Sequence, residues 1–480
     1  MSGTETRLEI VNEAAKPLGF LIFAHIVVCC ISLVLTANEA FRARFLTETF
    51  HVFFDAAQWN VAATAVAAFA AVASVFVFAR FSFGYFVGFY SYTIILGFLW
   101  LNSFTDLNYD QRLAGFSAAA SAVAFLLPAL FISRPLRQIV KMAPRSFDRL
   151  LWCILLLSAA TIAIGASYNF QLVSPAAMQE RRAEINSPTI VNYLLTIVSS
   201  ALLPFAFASF IAAKACWRAA TVLVLLLLFY PITLTKIAIF TPVWLVLMLV
   251  LSRLFEARIA VVLSLLAPIV VGLVLVAIFN DRASLVYFST VNFRMVQIPS
   301  VAMEIYSDFF ASHEVTHFCQ ISFLKPLMHC PYPDQLSIVM QRTYKLGYFN
   351  ASMFATEGIA SVGFWLAPIA TFLCGLVIAL GNRSSAGLPA EFILVSGAVL
   401  PQVFLNIPLT TLLLSHGAGF LFLLWYVTPR SLFERTSVAG VVTDRNPSGS
   451  LPIEETLEFR GQRINTDRNL GPVIKLLDQR

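Results

Sequence analysis

The chain contains 480 residues, of which 59% are hydrophobic and only 12% are charged, and its mean hydropathy is +0.80. Soluble domains carry roughly 25% charged residues, so this composition excludes an ordinary water-soluble globular protein. The net charge of +6 is modest; it indicates an excess of Lys and Arg in cytoplasmic loops, and we expect no nucleic-acid partner. We therefore predict an all-α, polytopic integral membrane protein.

Apolar runs of about 20 residues, long enough to cross roughly 30 Å of hydrocarbon, divide the chain into twelve predicted transmembrane helices. The first nine are Leu18–Ala37, Val61–Ala79, Gly84–Leu101, Leu113–Ile132, Leu151–Ser167, Ile190–Ala213, Ala219–Leu234, Ile239–Leu251 and Ile259–Phe279. The last three are Gly358–Leu380, Phe392–Ile407 and Leu409–Val427. Between the seventh and the eighth, Pro231, Lys236 and Pro242 interrupt the apolar pattern, which indicates either a tight outer turn or a broken helix.

Lys and Arg are distributed unevenly between alternate loops. One set of short loops carries Arg80, Arg134, Arg137, Lys141, Arg145, Arg149, Lys214, Arg218, Arg253, Arg258 and Arg383. By the positive-inside rule these loops face the cytoplasm. The rule then predicts a cytoplasmic N-terminus over residues 1–17, nine helices over 18–279, a large periplasmic loop over 280–357, three helices over 358–428 and a flexible cytoplasmic tail over 429–480.

The 280–357 loop is the one long stretch between the terminal tails that is not strongly apolar, and we predict that it holds the active site. It contains Cys319 and Cys330. In an oxidising outer compartment these two either form a disulfide or remain two free thiols. The other cysteines lie in or beside apolar runs, where they are expected to be small core residues.

The same loop contains His313-Glu314-Val315-Thr316-His317, which has the HExxH pattern of zinc proteases. On a helix the two histidines would share one face and Glu314 would act as a base, but this reading also needs a third ligand. No metzincin pattern lies downstream. Two polar loop histidines are the favoured interpretation, and we expect neither a metal nor another cofactor.

Basic residues at the outer ends of the predicted helices form a stronger pattern. Arg282 and Arg294 follow the ninth helix, Arg342 and Lys345 precede the tenth, and Lys236 lies at the same face. Guanidinium groups bind phosphate through two hydrogen bonds, and Lys binds it as a point charge. A converging set would therefore hold a lipid-linked diphosphate, whereas contact with lipid headgroups is the alternative for each single residue.

Two further features lie near this pattern. Pro299–Ser312 is predicted to be a helix with one apolar face, and its aromatic residues and Glu304 suit either sugar binding or packing at the membrane surface. His416 and Asn406 lie inside or near apolar runs, where a functional role is possible by default. For these two, a hydrogen bond between helices is the favoured interpretation.

The segment Tyr344-Lys345-Leu346-Gly347-Tyr348-Phe349-Asn350-Ala351-Ser352, followed by Phe354–Gly363, opens an apolar run directly after the large loop. It resembles the Wzy-type polymerases of bacterial O-antigens and exopolysaccharides. Asn292-Phe293-Arg294, with Pro299, Tyr306 and Phe310 downstream, is similar to the Arg–Pro–aromatic opening of that family's loop. The resemblance covers the topology of most of the chain and short motifs over residues 290–363. The paired Arg-x10-Gly motifs of some members are absent.

The resemblance implies that a glycan on polyprenyl diphosphate is transferred to another lipid-linked repeat unit at the periplasmic face of the bacterial inner membrane. The partners would be polyprenyl-diphosphate-linked oligosaccharide, membrane lipids and other polysaccharide assembly proteins. The diphosphate would be bound by Arg294, then Arg342, Arg282 and Lys345, together with Lys236. The general base would be Glu357 or His317, and after them Glu304.

Three alternatives stay open at this point. A glycan ligase would share nearly the same loop and charges. A flippase or transporter would place its polar residues inside the helix bundle. A non-enzymatic assembly component would tolerate loss of the loop charges.

Overall fold

The computed structural model describes residues 2–46, 50–173, 181, 187–321, 323–349 and 355–433. Over these ranges the regular elements are α-helices with short 3₁₀ and π segments, and strand pairing is limited to an isolated bridge between Val52 and Thr105. Ten helices among the described residues are long and apolar enough to cross a membrane. The chain is therefore an all-α, multi-pass membrane protein.

The first nine of these helices each overlap one predicted span. They are α1 (Ser2–Ala37), α2 (Ala56–Phe78), α3 (Phe83–Leu101), α4 (Gln111–Phe131), α5 (Pro144–Tyr168), α6 (Thr189–Ala212), α7 (Cys216–Thr233), α8 (Lys236–Leu254) and α9 (Ala257–Ile278). Between α7 and α8, Leu234 adopts a left-handed conformation with φ 45°. The interruption at this position is thus a tight turn between two helices.

The remaining helices are shorter, with one exception. Apart from a four-residue helix at Glu39–Arg42, they are α10 (Arg282–Phe288), α11 (Ile298–Ser312), α12 (Leu336–Tyr344), α13 (Ala355–Ser385), α14 (Ala390–Ser396), α15 (Val399–Phe404), α16 (Leu409–Leu414) and α17 (Ala418–Val427). A π-helical segment, Ser289–Gln297, joins α10 to α11. The long member, α13, is the tenth helix that could cross a membrane, and it has a kink near its start at Gly363, where the backbone is non-helical with φ 75° and ψ 177°.

The last two predicted spans are not continuous helices. The helical path over residues 390–404 is broken at Gly397 and Ala398, between α14 and α15. The path over residues 409–427 is broken before Gly417, which has φ 77° and lies so close to α6 that a Cβ there would be 2.9 Å from the Cβ of Ala201. Glycine is favoured here because it tolerates both the positive φ and the close approach.

The helix α3 forms the centre of the bundle, and all of its residues are buried. It packs against α1, α2, α4, α11 and α13. Small residues permit these close approaches: a Cβ on Gly84 would lie 2.0 Å from the Ala129 carbonyl oxygen, and one on Gly97 would lie 2.3 Å from Ser300 Oγ. Contacts of this kind are typical of helix pairs that associate inside a membrane.

The first part of the predicted 280–357 loop is a helical stretch packed into the bundle. Asn292 Nδ2 donates to the Ile269 carbonyl of α9 at 2.9 Å and to Ser32 Oγ of α1 at 3.2 Å. Further along, α11 agrees with the helix predicted over residues 299–312, but its aromatic residues Tyr306 and Phe310 are buried. These two rings are therefore core residues, and exposed sugar-stacking surfaces are formed elsewhere if at all.

Candidate functional site

A cavity of about 870 Å³ opens where successive membrane helices turn. Its walls come from the C-terminal ends of α5 and α7, the N-terminal halves of α6 and α8, and the segments around α15 and α16. Consecutive membrane helices alternate in direction, so these ends lie at one face of the membrane, the face that the charge pattern predicts to be periplasmic. The polar lining includes Asn169, Asn192, Thr196, Ser199, Thr235, Lys236, Arg294, Gln402, Asn406 and His416.

Lys236 reaches the cavity because of the tight turn between α7 and α8. Thr233 Oγ1 and Thr235 Oγ1 lie 2.9 Å apart across the turn, and Thr235 precedes the first turn of α8 without capping it through its side chain. Thr235, Lys236 and Ile237 all line the cavity. The positive end of the α8 dipole is thus located beside the Lys236 ammonium group.

Arg294 reaches the same cavity from the π-helical segment. Its neighbours are fixed: Asn292 is bonded to α9 and α1, and the Phe293 ring packs edge-on against Phe50 with centroids 5.2 Å apart. A π turn widens the helix and occurs frequently at functional sites. Here Arg294 is exposed while Asn292 and Phe293 on the same segment are buried, which presents the guanidinium to the cavity on a rigid support.

The two cations have no counter-charge among the described residues. The cavity lining contains neither Asp nor Glu. The ion pairs of the described chain involve other residues, and no hydrogen bond from Lys236 or Arg294 is formed within it. Because both side chains keep their full capacity to donate, the cavity is a site for an anion, and phosphate oxygens are the best match for a guanidinium beside an ammonium.

The helix α15 and the connections on either side of α16 contribute the remaining polar groups. Gln402 of α15, Asn406 and His416 line the cavity. His416 follows α16, and its Nδ1 lies 3.5 Å from the carbonyl oxygen of Thr411 in that helix, whereas the Asn406 side chain forms no hydrogen bond within the described chain. The interpretation of Asn406 and His416 as hydrogen-bonded links between helices is therefore wrong. The sequence signal that identifies both as candidate site residues is a polar side chain inside or near an apolar run.

Glu357 lies beside the cavity wall but does not line it. This carboxylate is half-buried near the start of α13, and its Oε2 accepts a hydrogen bond from the backbone N–H of Leu409 at 3.0 Å. Leu409 is the first residue of α16, so Glu357 caps that helix from a distant part of the chain. Its partner Leu409 is two residues along the chain from Ile407, and Ile407 lines the cavity.

The other two predicted bases lie outside the cavity lining. Glu304 is fully buried in α11, and neither carboxylate oxygen has a partner within the described residues. Burial, and then the nearby charge of Asp106, raise the pKa of Glu304 well above its usual range. His317 is exposed, with φ 47°, and its backbone N–H donates to the Ser361 carbonyl at 2.9 Å.

Of the five cations predicted to converge, the structure brings together Lys236 and Arg294. Arg342 is exposed and forms an ion pair with Asp334. Arg282, at the start of α10, and Lys345, after α12, are exposed and absent from the lining of the cavity. The predicted set is thus divided between the cavity and the protein surface.

The HExxH segment is not helical. Helix α11 ends at Ser312, and His313 is extended, with its ring stacked on Phe309 at a centroid distance of 4.0 Å. The zinc-protease arrangement needs both histidines on one helical face, and the segment does not provide it. Nearby, Cys319 and Cys330 form a disulfide, with their Cα atoms 5.4 Å apart.

The chain matches no family model, no curated protein and no solved structure. The cavity is therefore the feature from which a function has to be inferred. Its polar lining, its two free cations and its position at one membrane face are the features that a function has to explain.

Proposed function

We propose that this protein polymerises polyprenyl-diphosphate-linked oligosaccharide repeat units into a surface polysaccharide at the periplasmic face of the bacterial inner membrane. The observation that carries the proposal is the pair of uncompensated cations, Arg294 and Lys236, in one cavity without a carboxylate. The resemblance to Wzy-type polymerases around Arg294 supports the same assignment. The protein is then a membrane glycosyltransferase that needs no metal for its leaving group.

The two cations would act on the diphosphate of the donor. During transfer, the bond between the anomeric carbon and the phosphate oxygen breaks, and both electrons pass to the diphosphate. Arg294 would bind two phosphate oxygens through its planar fork, and Lys236 would neutralise the second phosphate as a point charge. Fixed cations placed where negative charge develops lower the barrier for this cleavage.

His416 is the residue that we assign as general base. The acceptor hydroxyl forms the new bond to the anomeric carbon and must lose its proton. Among the described residues lining the cavity, His416 is the one histidine, and a neutral imidazole can accept that proton. This assignment replaces Glu357, His317 and Glu304, which do not line the cavity.

The rest of the lining matches a lipid-linked sugar. Amide and hydroxyl groups, including those of Asn192, Ser199 and Asn406, can bond to sugar hydroxyls, while Leu226 and Phe229 offer apolar contact to the first isoprene units. A site for one charged group, several hydroxyls and an apolar chain is the combination that the proposed donor requires.

The test is complementation of a strain deleted for the gene, with polymer length and amount measured on gels and normalised to the membrane level of each variant. Loss of a charge-assisted contact costs roughly 1.5–3 kcal/mol, so Arg294→Ala should reduce polymer formation about ten- to a hundredfold. Arg294→Lys should also impair it, because an ammonium lacks the fork. Arg282→Ala is the matched control, an exposed cation on the same helical stretch outside the cavity, and it should retain full activity. Full polymer with normally abundant Arg294→Ala would refute the proposal.

A ligase-like glycosyltransferase is distinguished in the same experiment. It would use the same donor but a lipid A core or protein acceptor. Deletion of a polymerase leaves single repeat units on the final acceptor, whereas deletion of a ligase leaves no transferred glycan.

A flippase is the second candidate function, and one observation favours it. The cavity lies between helices, and its wall includes α15 and the two connections that flank α16, in the interrupted part of the chain. Interrupted helices around a binding site are typical of transporters. Reconstitution in liposomes separates the two: a polymerase lengthens lipid-linked repeat units on one side of the bilayer, whereas a flippase moves unchanged units across it.

A further inference from the structure

A second cavity, of about 950 Å³, forms a groove between α2 and α4. Its floor is made by Leu99 of the buried central helix α3 and by Asn102, the residue that follows this helix. The helix α2 lies at the edge of the bundle, since only 28% of its apolar 18-residue stretch is buried. The groove therefore faces the hydrocarbon of the membrane.

Small side chains create this groove. The walls include Ala65, Ala68, Gly115, Ala119, Ala120 and Ala124. Along α4 the lining extends from Gln111 to Leu127, which at 1.5 Å per residue is about 24 Å. One leaflet contributes only half of a hydrocarbon core of roughly 30 Å, so the groove continues past the membrane midplane.

One end of the groove is polar and cationic. Gln58, Ser103, Gln111 and Arg112 lie there, where α3 ends and α4 begins. This end of the groove lies at the same membrane face as the first cavity, because α3 and α5 run in the same direction and their C-terminal ends contribute to the groove and the cavity, respectively. The Arg112 side chain is exposed and forms neither an ion pair nor a hydrogen bond within the described chain. The neighbouring Asp110 instead accepts from the backbone N–H groups of Arg112 and Leu113, each at 3.0 Å.

We propose that this groove binds a long-chain isoprenoid lipid phosphate, with the chain between α2 and α4 and the phosphate on Arg112. The free guanidinium complements the phosphate, and the apolar walls take the chain. The acyl chains of a phospholipid end within their own leaflet, whereas the groove continues beyond it. We do not assign the groove to contact with a second copy of the protein. Such a contact is expected to use a flat or convex apolar face, and this surface is a narrow groove with a charge at one end.

The role of this lipid, unlike its binding, rests on the proposed function. A polymerase needs two lipid-linked repeat units at once. The first cavity would hold the diphosphate of the donor, and the groove would hold the chain of the second lipid.

The test uses the full-length protein in nanodiscs and a polyprenyl monophosphate that carries a diazirine on its chain. Irradiation should label peptides of α2 and α4, and unlabelled polyprenyl monophosphate should compete. Ala68→Leu and Ala120→Leu fill the groove, and Arg112→Gln removes the cation; each should reduce labelling at least tenfold. Ala67→Leu is the matched control, an exposed alanine of α2 outside the groove, and its labelling should stay within twofold of wild type.

Several results would overturn this inference. They are equal labelling by phosphatidylglycerol with the same diazirine, labelling that survives Ala68→Leu, and crosslinks between α2 and α4 of different copies. Arg294→Ala separates the two proposals, since it should reduce polymer formation about ten- to a hundredfold and leave labelling of the groove unchanged. If the wild-type groove were not labelled, but Arg294→Ala still reduced polymer formation, only the inference about the groove would be refuted.

Discussion

At the scale of single residues, the Arg and Lys side chains differ in whether a carboxylate pairs with them. Arg342 pairs with Asp334, and Arg218 pairs with Asp148, whereas Arg294 and Lys236 share a cavity without a carboxylate. Exposed ion pairs of the first kind contribute little to stability, typically 0–1 kcal/mol. Arg282 and Lys345 also have no ion-pair partner among the described residues but lie outside the cavity. Arg294 and Lys236 are set apart because they both lack a partner in the described chain and line the same cavity, which leaves them available to a ligand there.

Buried polar groups of α11 and the π segment form a second pattern at this scale. Glu304, Ser307, Gln297 and Asn292 each have at least one buried side-chain atom without a hydrogen-bond partner in the described chain. Buried polar atoms are normally satisfied, often by internal water. Glu304 is the one that titrates, and burial raises its pKa, which favours the neutral carboxylic acid over the carboxylate.

Glu304→Gln tests this neutral state. In the folded protein the pKa of Glu304 lies well above its ordinary value of 4.5, so the folded state binds a proton that the unfolded state releases above about that pH. The stability of the wild type should therefore fall as pH rises from 4.5 through the folded pKa, by at most about 1.4 kcal/mol per pH unit. Gln cannot ionise, so thermal unfolding in detergent should show the variant gaining on wild type as pH rises from 5 to 9. A constant difference over that range would contradict a raised pKa.

At the scale of elements, the interrupted helices are what create the cavity wall. A helix that ran unbroken from Leu409 to Val427 would satisfy its own backbone groups and leave His416 on a helical face. The break before Gly417 instead leaves α16 as a short element whose first N–H needs an external acceptor. Glu357 supplies that acceptor from α13, and so couples the large loop's end to the cavity.

Substitutions of Glu357 separate capping from catalysis. Glu357→Ala removes the acceptor of the Leu409 N–H and should destabilise α16 by about 1 kcal/mol, with reduced polymer formation. Glu357→Gln retains an amide oxygen that can accept the same hydrogen bond, so most activity should return. A general base would behave differently, because Gln cannot take a proton. Polymer analysis of the two variants at equal abundance decides between these roles, and inactive Glu357→Gln would restore Glu357 as a candidate base.

At the scale of the whole molecule, the cavity and the groove open at the same membrane face. The C-terminal ends of α3, α5 and α7 and the N-terminal ends of α4, α6 and α8 supply their polar residues. The Lys- and Arg-rich loops lie at the other face. This separation of charge-rich loops from polar cavities predicts that both sites face the periplasm.

Cysteine labelling tests the orientation. In a variant whose five free cysteines are replaced by Ser, Tyr348→Cys should react with a membrane-impermeant maleimide in intact spheroplasts. Ile139→Cys, in the Arg-rich connection between α4 and α5, should react only after lysis. Both native side chains are largely exposed, at 66% and 86%, so access is matched between the two positions. The reverse pattern would invert the topology and place the cavity in the cytoplasm.

Much of the architecture could be predicted because hydropathy is a local property. Each of α1 to α9 is marked by its own apolar residues, whatever its neighbours, since a helix in hydrocarbon satisfies its backbone internally. Over residues 390–427 the prediction of two continuous spans was wrong. The composition there is apolar enough for two spans, but the breaks near Gly397 and Gly417 depend on how closely these segments pack against others.

By itself, the sequence determined that this is a helical membrane protein and which loops carry the excess of Lys and Arg, and it placed Arg294 and Lys236 among five candidate cations at one predicted face. Tertiary structure decided which of the predicted cations meet, and it placed Asn406 and His416 on the cavity and Glu304 in the core. The reason is physical. Insertion in a membrane depends on runs of neighbouring residues, whereas a site depends on the packing of helices that are distant in the chain and whose contacts no local pattern records.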